Sequence, residues 1–182
     1  MPNPVAERTS RLGFAVEVVG FGLRAAAAQD EIEHRLRTVI TGILGDVRVA
    51  AERAEGTDIG GARLTVFLPG EVDPVRALPG LLMATANRLA GDNARFRDRM
   101  RLRMAIDTGR ASLDRLLDSR PLWLAVARNP EADVLVLVAG PLHDAILAGH
   151  LDSAIGRFHR VEADLGEPTS AWLWVGPDQM LR

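Results

Sequence analysis

The stretch LGFAVEVVGF, Leu12–Phe21, is apolar and β-branched, is interrupted only by Glu17, and runs into Gly20 and Gly22. Those features predict a central strand ending in a turn. Working outward, Gln29–Leu44 carries Ile32, Leu36, Val39, Ile40 and Ile43 at the spacing of an amphipathic helix. Asp30 and Glu31 are read as first-turn acids, suited to the positive end of its dipole. Asp46–Glu52 reads as a weak strand and Arg63–Leu68 (RLTVFL) as a stronger one, stopped by Pro69 and Gly70. Gly56–Gly61 (GTDIGG) between them reads as a hairpin connection.

Pro74 to Asn93 predicts a helix with Val75, Leu78, Leu82, Ala86 and Leu89 on one face and a kink at Pro79 and Gly80. Met100–Ile106 (MRLRMAI) alternates apolar residues with arginine, the period of a strand with one wet face. Ala111–Leu117 and Pro121–Ala127 read as short helices, Asp133–Ala139 as a buried strand, and Pro141–Ala148 as a helix with proline at its first position. Arg157–Asp164 and Ala171–Val175 close the chain as paired strands around a Gly166–Pro168 turn. The order β-α-β-β-α-β-α-β-α-β-β has more strands than crossover helices. It predicts an α+β fold: a mixed sheet with helices mainly on one face.

A length of 182 residues suits one domain, with residues 1–10 as a flexible N-terminus and 11–182 as a single folded unit. Hydrophobic residues make up 47% and charged residues 25%, an ordinary globular composition. With no cysteine, disulfides and thiolate metal sites are excluded. All 22 basic residues are arginine, a bias of GC-rich genomes, and the net charge of −2 offers no electrostatic footprint for nucleic acid. Met1–Ser10 has no apolar core of the kind a secretory signal needs. No apolar run approaches the ~20 residues of a membrane helix. The expectation is a soluble cytoplasmic protein.

Catalytic motifs of the common kinds are missing. There is no G-x-S-x-G, no G-x-G-x-x-G and no P-loop. His34, His143, His150 and His159 form no metal-binding pair, and His34 and His143 read as surface or half-buried structural residues. The basic cluster Arg97–Arg103 reads as the solvent face of a strand with its preceding loop, in preference to a phosphate site. Trp123, Trp172 and Trp174 are candidates for core packing or for interface anchors.

In order along the chain, FAVEVVGFG (Phe14–Gly22), RLTVFLP (Arg63–Pro69), MRLRMAIDTGR (Met100–Arg110), DRLLDS (Asp114–Ser119), GPLHDAILAGH (Gly140–His150) and FHRVEADLGEPTSAWLWV (Phe158–Val175) resemble the segments of class III adenylate/guanylate cyclases. The likeness is nearest to small stand-alone domains of the actinobacterial kind. It implies a ferredoxin-like sheet and, in an active member, two metal ions held by two aspartates. Here the first aspartate falls on Glu17, whose extra methylene would displace an ion by about 1 Å. The second falls on Ala62, with Arg63 in place of a glycine. Asp58 is the nearest alternative acid. The family's transition-state arginine matches Arg115, but its asparagine matches Ala111, the loop before that helix is shortened, and the purine-selecting lysine has no counterpart.

The resemblance therefore implies a degenerate cyclase with no catalytic residues, metal or cofactor expected. It would be a regulatory or protein-interaction module that self-associates or binds another protein. One alternative is a nucleotide sensor whose relic phosphate contacts are Arg63, Arg110 and Arg115. Another is an active cyclase with an atypical site, with Glu17 and Asp58 on the metal and Arg115 on the phosphoryl group. No nucleic-acid or membrane partner is implied.

Overall fold

In the computed structural model, residues 11–60, 62–147, 158–164 and 168–176 are described, without the side chains of 57–59, 146–147 and 164. The sequence-predicted N-terminal tail, His150 and the turn residues 166 and 167 lie outside that set. The chain runs β1 (Gly13–Val18), α1 (Ala26–Asp46), β2 (Glu55–Gly60), β3 (Arg63–Phe67), α2 (Pro74–Asn93), β4 (Leu102–Asp107), α3 (Arg110–Leu117), α4 (Arg120–Arg128), β5 (Val134–Ala139), α5 (Gly140–Leu147), β6 (Phe158–Asp164) and β7 (Pro168–Val175). The seven strands form one sheet in the order β2-β3-β1-β4-β5-β7-β6. Neighbours are antiparallel except β4 and β5, which are parallel and joined by the α3–α4 crossover.

The first four strands, with α1 and α2 as crossovers, stand in the order 2-3-1-4, which is the ferredoxin-like arrangement. Strand β1 lies at its centre because it is apolar on both faces: Gly13, Phe14, Ala15, Val16 and Val18 are all buried. Phe14, Val16 and Val18 share one face, Gly13, Ala15 and Glu17 the other. The long helices α1 and α2 pack on each other, and α2 also meets α5 and β5. Among the described residues the opposite face carries the short α3 and α4. A side chain at Gly13 would meet the ring of Phe67 at 2.6 Å and Leu113 of α3 at 3.0 Å, so glycine there lets α3 lie close to the sheet.

Two expected elements differ. Asp46–Glu52 is not a strand: α1 runs through Asp46, and Arg48 adopts the left-handed conformation (φ 60°). The N–H of Arg48 donates to Gly45 and that of Val49 to Leu44, the Schellman arrangement that ends a helix. Val49 is buried there, which is why this β-branched stretch is apolar without being a strand. Gly56–Gly61 is not a connection either. Residues 55–60 form β2, with a bulge between Asp58 and Gly60, and Arg63 opens β3. Gly60 (φ 80°) and Ala62 (φ 55°) both adopt the left-handed conformation. Helix α1 starts three residues earlier than its periodicity indicates, so Asp30 and Glu31 fall in its second turn. Strand β7 begins at Pro168, ahead of the expected Ala171.

Candidate functional site

Glu17 is the one charged residue on β1, and strand pairing determines what faces it. It lies opposite Arg63 on β3 and opposite Arg103 on β4. Directly opposed residues share a sheet face and lie within side-chain reach, so Glu17 is flanked by two guanidiniums. Arg103 donates to its Oε2 at 2.8 Å, and Arg63 lies 3.6 Å from the same oxygen.

Helix α3 closes this cluster from above. Asp114 and Asp118, four apart and so on one face of the helix end, accept from Arg63 at 3.1 and 3.0 Å. Arg103 lies 3.4 Å from Asp118 and donates to the carbonyl of Leu117 at 2.8 Å. Its guanidinium stacks at 3.8 Å on the ring of Trp123 from α4. Burial opposes the charge on Arg63, but its bonds to Asp118 and Asp114 outweigh that and raise its pKa further above neutrality.

Two cations and three carboxylates thus form a network between the sheet and α3. Arg103 is buried, whereas the alternation of MRLRMAI implied a wet face. Elsewhere in the basic cluster the expected surface placement holds, with Arg97 and Arg99 exposed and Arg101 half-buried, though the last two also make bonds. Arg101 donates to the carbonyls of Val126, Asn129 and Ala132 around the C-terminus of α4, and Arg99 binds Asp133. These arginines are spent on holding elements together.

The metal pair that the fold implies in an active cyclase does not fit these residues. A magnesium ion needs oxygen ligands at about 2.0–2.1 Å with little tolerance. The only carboxylate on β1 is held by guanidinium, Ala62 offers none, and Arg63 projects cationic charge into the space. Among the described residues no three Asp, Glu or His side chains converge as a ligand set. The backbone of Asp58, on β2, pairs with Leu64 on β3, and the Asp58 side chain falls outside the described set.

Of the arginines singled out as phosphate contacts, Arg63 sits in the network. Arg110 opens α3 and lies over the ring of Phe67, 5.3 Å from its centre. Phe67 is four residues beyond Arg63 on β3, about 13 Å along the strand, so the two arginines serve different levels of the sheet. Arg115 is exposed on α3, as is Ala111.

The histidines and tryptophans divide sharply. His34 and His159 are exposed, but His143 is fully buried and not on the surface or half-buried. Its ring stacks on Trp172 at 4.0 Å and meets Phe158 edge-on, which pins α5 to the β6–β7 ribbon. Burial lowers its pKa, with Asp144 acting weakly in the other direction. Trp174 fills the core and Trp172 is half-buried, whereas Trp123 is 50% exposed.

Sequence reasoning missed Arg103, Asp114 and Asp118. The (i, i+4) aspartates were a visible signal of a shared helix face. Arg103 becomes visible only once β1 and β4 are paired in register.

The architecture is that of class III nucleotide cyclases. The chain superimposes with a TM-score of 0.57 on the crystal structure of the adenylyl cyclase CyaB from P. aeruginosa, at 13% identity, covering 94% of this chain and 96% of that one. It superimposes at 0.53 on an adenylate/guanylate cyclase/hydrolase from Silicibacter pomeroyi, at 12% identity, covering 92% and 98%. No protein-family model matches the chain, and no curated protein sequence does. At such identities the likeness is one of fold. Among the described residues no helix is long and apolar enough to cross a membrane.

Proposed function

We propose that residues 11–182 act as one catalytically inactive cyclase-like domain, a cytoplasmic regulatory or interaction module that self-associates. The observation that carries this reading is the ion-pair network around Glu17. In the position where the fold's enzymes need an uncommitted metal carboxylate, this chain has a carboxylate neutralised by Arg103 and Arg63, and it has alanine where the second carboxylate would stand. A divalent ion would have to displace a buried guanidinium bound at 2.8 Å. Loss of metal-held charge stabilisation costs several kcal/mol in the transition state, hence several decades in rate. The sensor alternative draws no support from Arg63, whose charge is already met by Asp114 and Asp118.

The test is to incubate pure protein with ATP or GTP and Mg²⁺ or Mn²⁺, to titrate the same nucleotides calorimetrically, and to measure molar mass by light scattering. The expected result is no cyclic product, no nucleotide binding and a mass above that of the monomer. Cyclic nucleotide formation that vanishes in Glu17→Ala would overturn the reading. Saturable nucleotide binding without turnover would replace it with the sensor.

A further inference from the structure

Most arginines of the described chain are tied to a carboxylate, a carbonyl or a ring, which makes Arg120 and Arg128 informative. Both are exposed on α4, and neither has a hydrogen bond or ion pair among the described residues. They are the two ends of a stripe, Arg120, Trp123, Leu124, Ala127 and Arg128, at i, i+3, i+4, i+7 and i+8, all of it facing solvent. This is the spacing of a helix face that packs against something. Trp123 and Leu124 at its centre are 50% and 39% exposed.

Beside the stripe lies a groove of about 440 Å³ between α4 and the β6–β7 ribbon. Pro121 and Leu124 form one wall and Val161 and Leu173 the other, with Arg120 and Arg128 also lining it. Its size falls within the range of pockets that hold a drug-sized ligand.

We propose that this groove binds a short extended segment of another protein with an apolar centre and a carboxylate at each end. The proposal rests on the interaction-module reading and names the partner's chemistry. Charge complementarity selects that occupant. Arg120 and Arg128 are eight residues apart, about 12 Å along the helix. An extended segment spans that distance in about four residues, which puts two carboxylates against two guanidiniums with three apolar side chains between them. Among the described residues Glu162 is the one carboxylate lining the groove, against two arginines. A second copy of this chain, docking by two-fold symmetry on the same face, would bring four unpaired arginines together. Like charges in apposition disfavour that pairing.

The experiment titrates isotope-labelled protein with a capped pentapeptide having glutamate at both ends of a Leu-Val-Leu core, and separately with the same core flanked by lysine. Amide shifts are followed by NMR, and light scattering is run in parallel. The acidic peptide is expected to shift α4, β6 and β7 resonances and to bind at least about tenfold more tightly than the basic one, with affinity falling as salt rises. Leu124→Glu should abolish binding, and the double variant Arg120→Glu, Arg128→Glu should reverse the preference toward the basic peptide. All three positions are exposed, and unchanged melting curves would show the variants folded. Equal binding of both peptides, or no binding of either at millimolar concentration, would overturn the proposal. If Leu124→Glu converts an associated protein to monomer, the groove is the self-association face: the partner assignment falls and the interaction-module reading stands. A monomeric wild type that binds the acidic peptide as described upholds the groove and removes self-association.

Discussion

Arg103 sits where the alternation of β4 turns a charged side chain inward, and its guanidinium is held from three directions: Glu17, the Leu117 carbonyl and the face of Trp123. A planar fork can make these contacts together; an ammonium cannot. Arg103→Lys should keep the charge but lose the stack and one bond, costing about 1 kcal/mol. Arg103→Ala should cost about 3 kcal/mol, because Glu17 then loses its nearest cation. Urea unfolding of the two variants checks both values, and equal losses would mean that the geometry of the fork is irrelevant. His143 makes a second residue-scale case. Burial holds it neutral in the fold, below its ordinary value of 6.5. The unfolded chain therefore takes up that proton first, so the contribution is complete above about pH 6.5 and is lost as pH falls through that value. His143→Phe keeps an aromatic ring in the stack and removes the proton. The wild type should lose stability between pH 7.5 and 5.5 while the variant stays flatter, as measured by urea midpoints across that range. Parallel profiles would mean that other groups control the acid limb. The exposed His34 and His159 remain in both proteins.

At the scale of elements, α3 is eight residues long, too short to persist by itself. It is held by buried Leu113, Leu116 and Leu117 and by the clamp of Asp114 and Asp118 on Arg63. Both aspartates are about half exposed, so the clamp amounts to about 1 kcal/mol after solvent screening. The double variant Asp114→Asn, Asp118→Asn should therefore speed amide exchange in α3 roughly fivefold and leave β1 and β4 protected. Exchange that accelerates evenly through the sheet would show α3 to be part of the global unit instead. Elements with a strong period were legible from sequence: β1, α1, α2 and β5 lie within a few residues of where their apolar patterns put them. Strand β2 was illegible because Gly56, Thr57, Asp58 and Gly60 carry a turn composition. They form a strand through pairing with β3, which supplies the hydrogen bonds that their side chains do not predict. Val47 and Val49 misled in the opposite direction, being apolar because they close α1. The site shows the same division. Glu17, Ala62 and Arg63 could be singled out from local resemblance, whereas the network that neutralises Glu17 needs Arg103 and α3, which only the register of the folded sheet brings together.

For the whole molecule, the fold is one shared with nucleotide cyclases, and the carboxylate of Glu17 on its central strand is neutralised by charges that belong to the chain. Arg63 and Arg103 supply fixed positive charge beside Glu17 and at the same time join β1, β3, β4 and α3. Stability should then be independent of divalent cations. A ligand that binds only the native state stabilises it by about 2.7 kcal/mol at one hundred times its dissociation constant. For a domain of this size that is a rise of several degrees in the melting temperature. The expected outcome is that Mg²⁺, Mn²⁺ and a chelator all leave the melting curve of the wild type in place. Restoring carboxylates alone, as Glu17→Asp with Ala62→Asp, should not change this, since both guanidiniums stay beside the site. Ala62 is buried in the left-handed region, which aspartate tolerates, so a small loss of stability without any metal response is expected of that variant. Adding Arg63→Gly to the pair removes one of the two cations opposite position 17 and introduces the glycine that the resemblance implies there; with Arg103 still beside the site, the melting curve should stay insensitive to Mn²⁺. A metal-dependent shift in the wild type would mean that the arginines yield to a divalent ion, and the account of the site as internally neutralised would fall.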